Sequence, residues 1–149
     1  MQMHRGFMPN LNQHKRALIL LCAVAAVSGC ATVEPVIVAK PGVAFSLPVG
    51  KTATINGNGT KLTFTRVTQD SRCPTDVTCV WEGEAQIEVN ISRTGSPDET
   101  AILRIRGGNG EEKSSGNLVI RFVGLTPVPR QADGNAPRAY VAELIVNQT

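Results

Sequence analysis

The sequence predicts an all-β domain, a small antiparallel β-sandwich (Ig-like) or a rolled barrel of about seven strands, behind a cleavable N-terminal signal. Three observations carry that expectation. From Val43 onward, short β-branched runs alternate with turns of Gly, Asn, Pro and Ser. No stretch sustains the 3.6-residue apolar period of an amphipathic helix. Between Trp81 and Ile91, Trp81, Gly83, Ala85, Ile87, Val89 and Ile91 share one parity, and Glu82, Glu84, Gln86, Glu88 and Asn90 the other. Alternation of this kind places one face on a core and the other in water, the habit of antiparallel sheets.

The elements follow in chain order. A basic start (Arg5, then His14-Lys15-Arg16) leads into a 13-residue apolar run, Ala17–Gly29. A membrane-spanning helix needs about 20 such residues, so the run fits the core of a secretory signal. Val27-Ser28-Gly29-Cys30 resembles the lipobox of bacterial lipoproteins, in which small residues precede a Cys that is diacylated and becomes the new N-terminus. Residues 1–29 are therefore expected to be a lipoprotein signal peptide, with Cys30 the lipidated residue. The alternative is ordinary signal-peptidase cleavage after Gly29-Cys30-Ala31, giving a free secreted chain beginning at Thr32. The same resemblance, with Ala31 rather than Asp after Cys30, implies an outer-membrane destination facing the periplasm in a cell that has one.

Residues 30–42 read as a tether. Pro35 and Pro41 flank Val36-Ile37-Val38, which can supply only a short edge strand, since Pro donates no ladder hydrogen bond. Residues 43–149 form the single β domain. Strands are expected near Val43–Leu47, Lys51–Ile55, Lys61–Thr68, Val80–Arg93, Thr100–Arg106, Asn117–Leu125 and Ala139–Asn147, separated by turns such as Asn56-Gly57-Asn58-Gly59 and Gly107-Gly108-Asn109-Gly110. A hairpin turning at Ser96 would set Glu88 opposite Arg104 and Gln86 opposite Arg106 on the wet face.

Composition removes several functional classes. The formal charge is +3, but Arg5, Lys15 and Arg16 leave with residues 1–29 and no acid does. The fifteen Lys and Arg thus fall to twelve, matching the twelve Asp and Glu. A balanced domain with interleaved charges lacks the basic footprint of a nucleic-acid binder. Both His and all three Met precede Cys30, so a chain starting there has no Ser-His, Cys-His or His-metal chemistry. No cofactor is implied.

With Cys22 in the signal and Cys30 carrying lipid, Cys73 and Cys79 are the remaining thiols, bound for an oxidising compartment. They are expected to form a disulfide. Two Cys with no His cannot fill a tetrahedral metal site, and five intervening residues do not match a thioredoxin-like couple. Trp81, the single Trp, is expected to point into the core against this bridge. Arg72, before the bridge, is either a basic side chain offered to a partner by a rigid loop or the local partner of Asp70 or Asp76. Asp70, Asp76, Glu82 and Glu84 could converge on a hard cation or furnish a carboxylate pair for glycoside hydrolysis, but they lack ligand-loop spacing and an aromatic platform. Glu82 and Glu84, alternating outward on a strand beside a basic neighbour, read instead as an ordinary solvated face.

The segment Asp70-Ser71-Arg72-Cys73-Pro74, with Cys79 and Trp81-Glu82-Gly83 following, resembles a group of small bacterial exported proteins and lipoproteins over roughly Leu62–Val89, with a weaker echo in Tyr140–Val146. The resemblance implies a lipid-tethered β domain and assigns no activity. The expected protein is a non-enzymatic binding or structural module of the bacterial envelope, attached to the membrane through Cys30, with an envelope protein or ligand as partner. The alternatives are a secreted inhibitor or ligand-sequestering protein acting through the Arg72–Cys79 loop and a hydrolase built only on carboxylates.

Overall fold

The computed structural model describes residues 35–149 apart from Asn135. The signal segment and Cys30 lie outside the described residues. Ten strands run in chain order: β1 Ile37–Ala39, β2 Phe45–Pro48, β3 Thr52–Ile55, β4 Lys61–Asp70, β5 Glu84–Ser92, β6 Glu99–Arg106, β7 Asn109–Gly110, β8 Glu112–Ser115, β9 Leu118–Thr126 and β10 Val141–Gln148. They form a six-stranded sheet, β1-β3-β4-β5-β6-β7, and a four-stranded sheet, β2-β10-β9-β8. The fold is the all-β sandwich or barrel that the period-2 pattern predicts. The seven expected strands are all present, and the tether contributes β1, an edge strand parallel to β3.

The core is the sum of the inward parities. Ala85, Ile87, Val89 and Ile91 of β5 are buried, as are Ala101, Leu103 and Ile105 of β6, facing Leu118, Ile120 and Phe122 of β9 and Ala142, Leu144 and Val146 of β10. Phe64 and Phe122 are the largest fully buried side chains. With so few aromatics, the interior is filled mainly by Leu, Ile and Val, whose branched side chains pack well on pleated surfaces.

Two segments pass from one sheet to the other and close the sides of the sandwich. Gly107-Gly108 is a tight two-residue turn with both φ positive, 54° and 78°. It lets Asn109 and Gly110 pair with Arg106 and Ile105. Glu111 then bridges the sheets: its N–H donates to Arg104 O at 2.8 Å, and its carbonyl accepts from Phe122 N at 3.3 Å. Glu112–Ser115 continues as an edge of the other sheet. Gly110 makes this crossing possible, because a Cβ there would lie 1.5 Å from Phe122 O. On the opposite side, the chain leaves β1 for β2 with Gly42 N donating to Val146 O at 2.8 Å.

Two expectations need correction. The β5–β6 register is Gln86↔Arg104 and Glu84↔Arg106, leaving Glu88 opposite Ile102. The hairpin therefore turns one residue earlier than Ser96, through a hydrogen bond from Ser96 N to Arg93 O at 3.2 Å. This moves the cross-strand partners by two residues but keeps parity, so the core face is unchanged. Glu88 instead pairs with Arg66 of β4 at 2.7 Å, and Arg106 pairs with Glu84 at 2.7 Å.

The other correction is Trp81, which is 68% exposed and does not belong to the inward series. Gly83 adopts φ 69°, and β5 begins only at Glu84. The chain bends at Val80 and Trp81 and is left-handed at Gly83, so the parity of the strand does not extend back to Trp81.

Gly110→Ala should destabilise the domain by about 2 to 3 kcal/mol, because the clash is with backbone and Gly110 is not at positive φ. Gly124→Ala, whose Cβ would meet the flexible end of Glu143 at 3.3 Å, should stay within about 1 kcal/mol. Urea unfolding of both variants decides the point; equal midpoints would show that the sheets do not depend on the Gly110 crossing.

Candidate functional site

The end of the sandwich at which β4 and β9 finish carries most of the chain's unusual chemistry. The loop from β4 to β5 is tied back at its base, where Ser71 N donates to Glu84 O at 2.8 Å and Ser71 Oγ donates to the same carbonyl at 3.2 Å. Gly83 is required for that closure, since a Cβ there would lie 2.0 Å from Ser71 O.

Asp70 and Arg72 occupy one parity of the extended chain, which brings their side chains together. Arg72 Nε donates to Asp70 Oδ1 and Nη2 to Oδ2, each at 2.8 Å, a bidentate pair whose side chains are only 15% and 6% exposed. The same guanidinium reaches the other sheet, donating to the carbonyls of Leu125 and, at 2.9 Å, Pro127. Tyr140, just before β10, donates its hydroxyl to Asp70 Oδ2 at 2.9 Å. Arg72 is thus turned inward as the local partner of Asp70 and is not displayed on the loop surface.

Burial would push the Asp70 carboxyl up, but the hydrogen bonds and charge of Arg72, with the Tyr140 hydroxyl, outweigh it and hold the group below the ordinary Asp value. Burial, together with its hydrogen bond to Asp70, raises the Tyr140 phenol against the opposing contact from Arg138. It remains a proton donor.

Cys73 and Cys79 are joined in a disulfide, as their isolation in the sequence predicts. The bridged loop is fastened to the β9–β10 connection. Thr75 N donates to Pro129 O at 3.0 Å, and the Asp76 carboxylate accepts from Gln131 N at 2.7 Å and Ala132 N at 3.1 Å. Those two N–H groups open a short 3₁₀ turn, Gln131–Asp133, and otherwise lack helical partners. The same two donors hold the Asp76 carboxyl below its usual range.

On this fixed loop Val80 is fully exposed and Trp81 largely so, with Val77 nearby in sequence also open to solvent. Beside the loop a cleft of about 330 Å³ lies between the sheets, walled by Ile105, Leu125 and Cys73, with Arg72, Glu82 and Gly107 on its lining. Sequence reasoning missed both features. The run of two large apolar residues after Cys79 was the available signal for the first; nothing local announces the second, which needs both sheets.

The four acids do not converge. Asp70 and Asp76 are engaged as above, and Glu84 accepts from Arg106 at 2.7 Å and Gln86 at 2.7 Å, contacts that keep its carboxyl below the ordinary Glu value. Only Glu82 faces the cleft. Among the described residues, no group of three or more His, Cys, Asp or Glu could hold a metal ion. No family model, curated protein or solved structure matches the chain.

Two outcomes follow from this geometry. Since Asp70, Asp76 and Glu84 bind protons more weakly folded than unfolded, their stabilisation is present above the ordinary carboxylate range and lost as pH falls through their lowered folded values. Asp70→Asn, which leaves Arg72 half-buried without its counter-charge, should cost about 2 to 4 kcal/mol at neutral pH and flatten the acid limb of a stability-versus-pH curve. An unchanged acid limb would contradict the assignment. For Trp81, acrylamide should quench native fluorescence nearly as well as that of free tryptophan, and Cys73→Ala/Cys79→Ala should lose about 2 to 2.5 kcal/mol of stability with little change in emission wavelength. A blue-shifted, unquenched emission would place the indole in the core instead.

Proposed function

We propose that this chain is a lipid-anchored β domain of the bacterial envelope that binds a partner, without catalysis, through the disulfide-bearing end of the sandwich. The observation that carries the reading is the exposed Val80-Trp81 pair on a loop held by a disulfide, by hydrogen bonds from Arg72 to Leu125 and Pro127 carbonyls and by the Asp76 contacts. Adjacent large apolar side chains left in water are the kind of exposed patch that marks an interaction site, and tryptophan is a preferred anchor of protein interfaces. A loop already fixed loses little conformational freedom on binding. The anchoring half rests on the basic start, the 13-residue apolar run and Val27-Ser28-Gly29-Cys30. Because Arg72 is committed to Asp70, Leu125 and Pro127, contact is assigned to Trp81 and its neighbours and not to Arg72.

Cys30→Ser should move the protein from the membrane fraction to a soluble one or leave the precursor uncleaved; an unmodified chain beginning at Thr32 in the wild type would refute lipidation. A photo-crosslinking residue placed at position 81 should give discrete adducts in intact cells, whereas one at the exposed Arg121 position on the far sheet should not. Adducts from both positions alike, or from neither, would count against the binding end.

A further inference from the structure

We infer that the cleft beside Glu82 is a recognition site for an organic cation, an ammonium or guanidinium on a short aliphatic stem such as the lysine or arginine side chain of a bound protein. The inference takes from the proposed function only that this is the binding end of the domain. Its volume of about 330 Å³ is at the low end of ligand sites, suited to one side chain. Ile105 and Leu125, with the disulfide at Cys73, give apolar walls against which methylenes can lie.

The charge on the lining decides the chemistry. Arg72 and Glu82 are both present, but the Arg72 guanidinium is matched by both oxygens of Asp70 and its remaining donors reach Leu125 and Pro127 carbonyls. Among the described residues Glu82 has no hydrogen bond or ion pair. A carboxylate oxygen accepts hydrogen bonds, so the one acidic group on the lining that no other residue engages suits a donor, and a positive one.

Glu82 is an exposed side chain at the rim of the cleft. Its carboxylate lies over the Gly107 backbone so closely that a Cβ at Gly107 would be 1.8 Å from Glu82 Oε2, and Gly83 sets the course of the chain behind it. A divalent metal would need several more oxygen ligands than one carboxylate supplies. An anion would meet the wrong charge.

Calorimetric titration of the full chain in a neutral detergent, with butylammonium and butylguanidinium as probes and butyrate and 1-butanol as matched controls, tests the assignment. Both cations should bind saturably and the controls should not. Glu82→Gln should weaken cation binding by about tenfold, and Glu88→Gln, which removes a carboxylate from the sheet face, should leave it unchanged. Added salt should weaken binding. Equal binding by Glu82→Gln, equal binding of butyrate or butanol, or no saturation by any probe would overturn the site. Adducts at position 81 without cation binding would remove this inference alone; Glu82-dependent cation binding without adducts would remove the Trp81 reading and leave the cleft.

Discussion

The Asp70–Arg72 pair is the contact on which one end of the molecule depends. Asp70 ends β4 in the larger sheet, and Arg72 reaches Leu125 and Pro127 in and beyond β9 of the smaller one, while Tyr140 approaches Asp70 from the start of β10. Three chain segments distant in sequence therefore meet at one ion pair, Tyr140 on its carboxylate and the Leu125 and Pro127 carbonyls on its guanidinium. A pair this buried gains little over well-packed apolar residues, because desolvation offsets most of the attraction. What it supplies is geometry, since a bidentate fork with two further carbonyl acceptors admits one arrangement of the loop over the sheets. The disulfide and Asp76 then extend that arrangement outward to Val80, Trp81 and the β9–β10 connection.

The opposite end has its own arginine tie. Arg93, past the end of β5, donates to the carbonyl of Ser115 at 2.7 Å and to its hydroxyl, and Ser115 donates to Glu99 at 2.5 Å. Between the two arginines, the sides are closed by Glu111 and Gly110 on one flank and by Gly42 on the other. The domain, short of aromatic core residues, is closed by backbone crossings and by half-buried arginines that bind carbonyls of the facing sheet.

How much of this was legible depended on the range of the interaction. The inward faces of β5 and β6 follow from alternation alone, and the isolation of Cys73 and Cys79 in the β domain was enough for the disulfide. Hairpin register was not, since Gly95 and Ser96 are both plausible turn centres and parity is preserved whichever is used. Trp81 lies outside the alternation because the period-2 pattern breaks at Gly83, and a glycine inside a strand pattern is itself a sign of a break. The polar strand Glu112–Ser115 escaped because an edge strand need not alternate, and it is held by the sheet crossing that precedes it. Asp70 and Arg72 stand two apart in an extended segment, so their pairing was within reach; the contributions of Tyr140 and Leu125 were not, being tertiary.

The disulfide, the Asp70–Arg72 pair and the Asp76 contacts are concentrated at the end that bears the exposed indole and the cleft beside Glu82. The central claim is that these parts form one unit held by Arg72. Residue-resolved amide hydrogen exchange tests it most directly, by following Ser71, Thr75, Gln131 and Ala132, whose N–H groups make the ties just described. In the wild type these amides should share one opening free energy. In Arg72→Met they should lose protection together while the amides of β5 and β10 keep theirs. Retained protection at Thr75, Gln131 and Ala132 in that variant, or four unrelated exchange rates in the wild type, would contradict the claim.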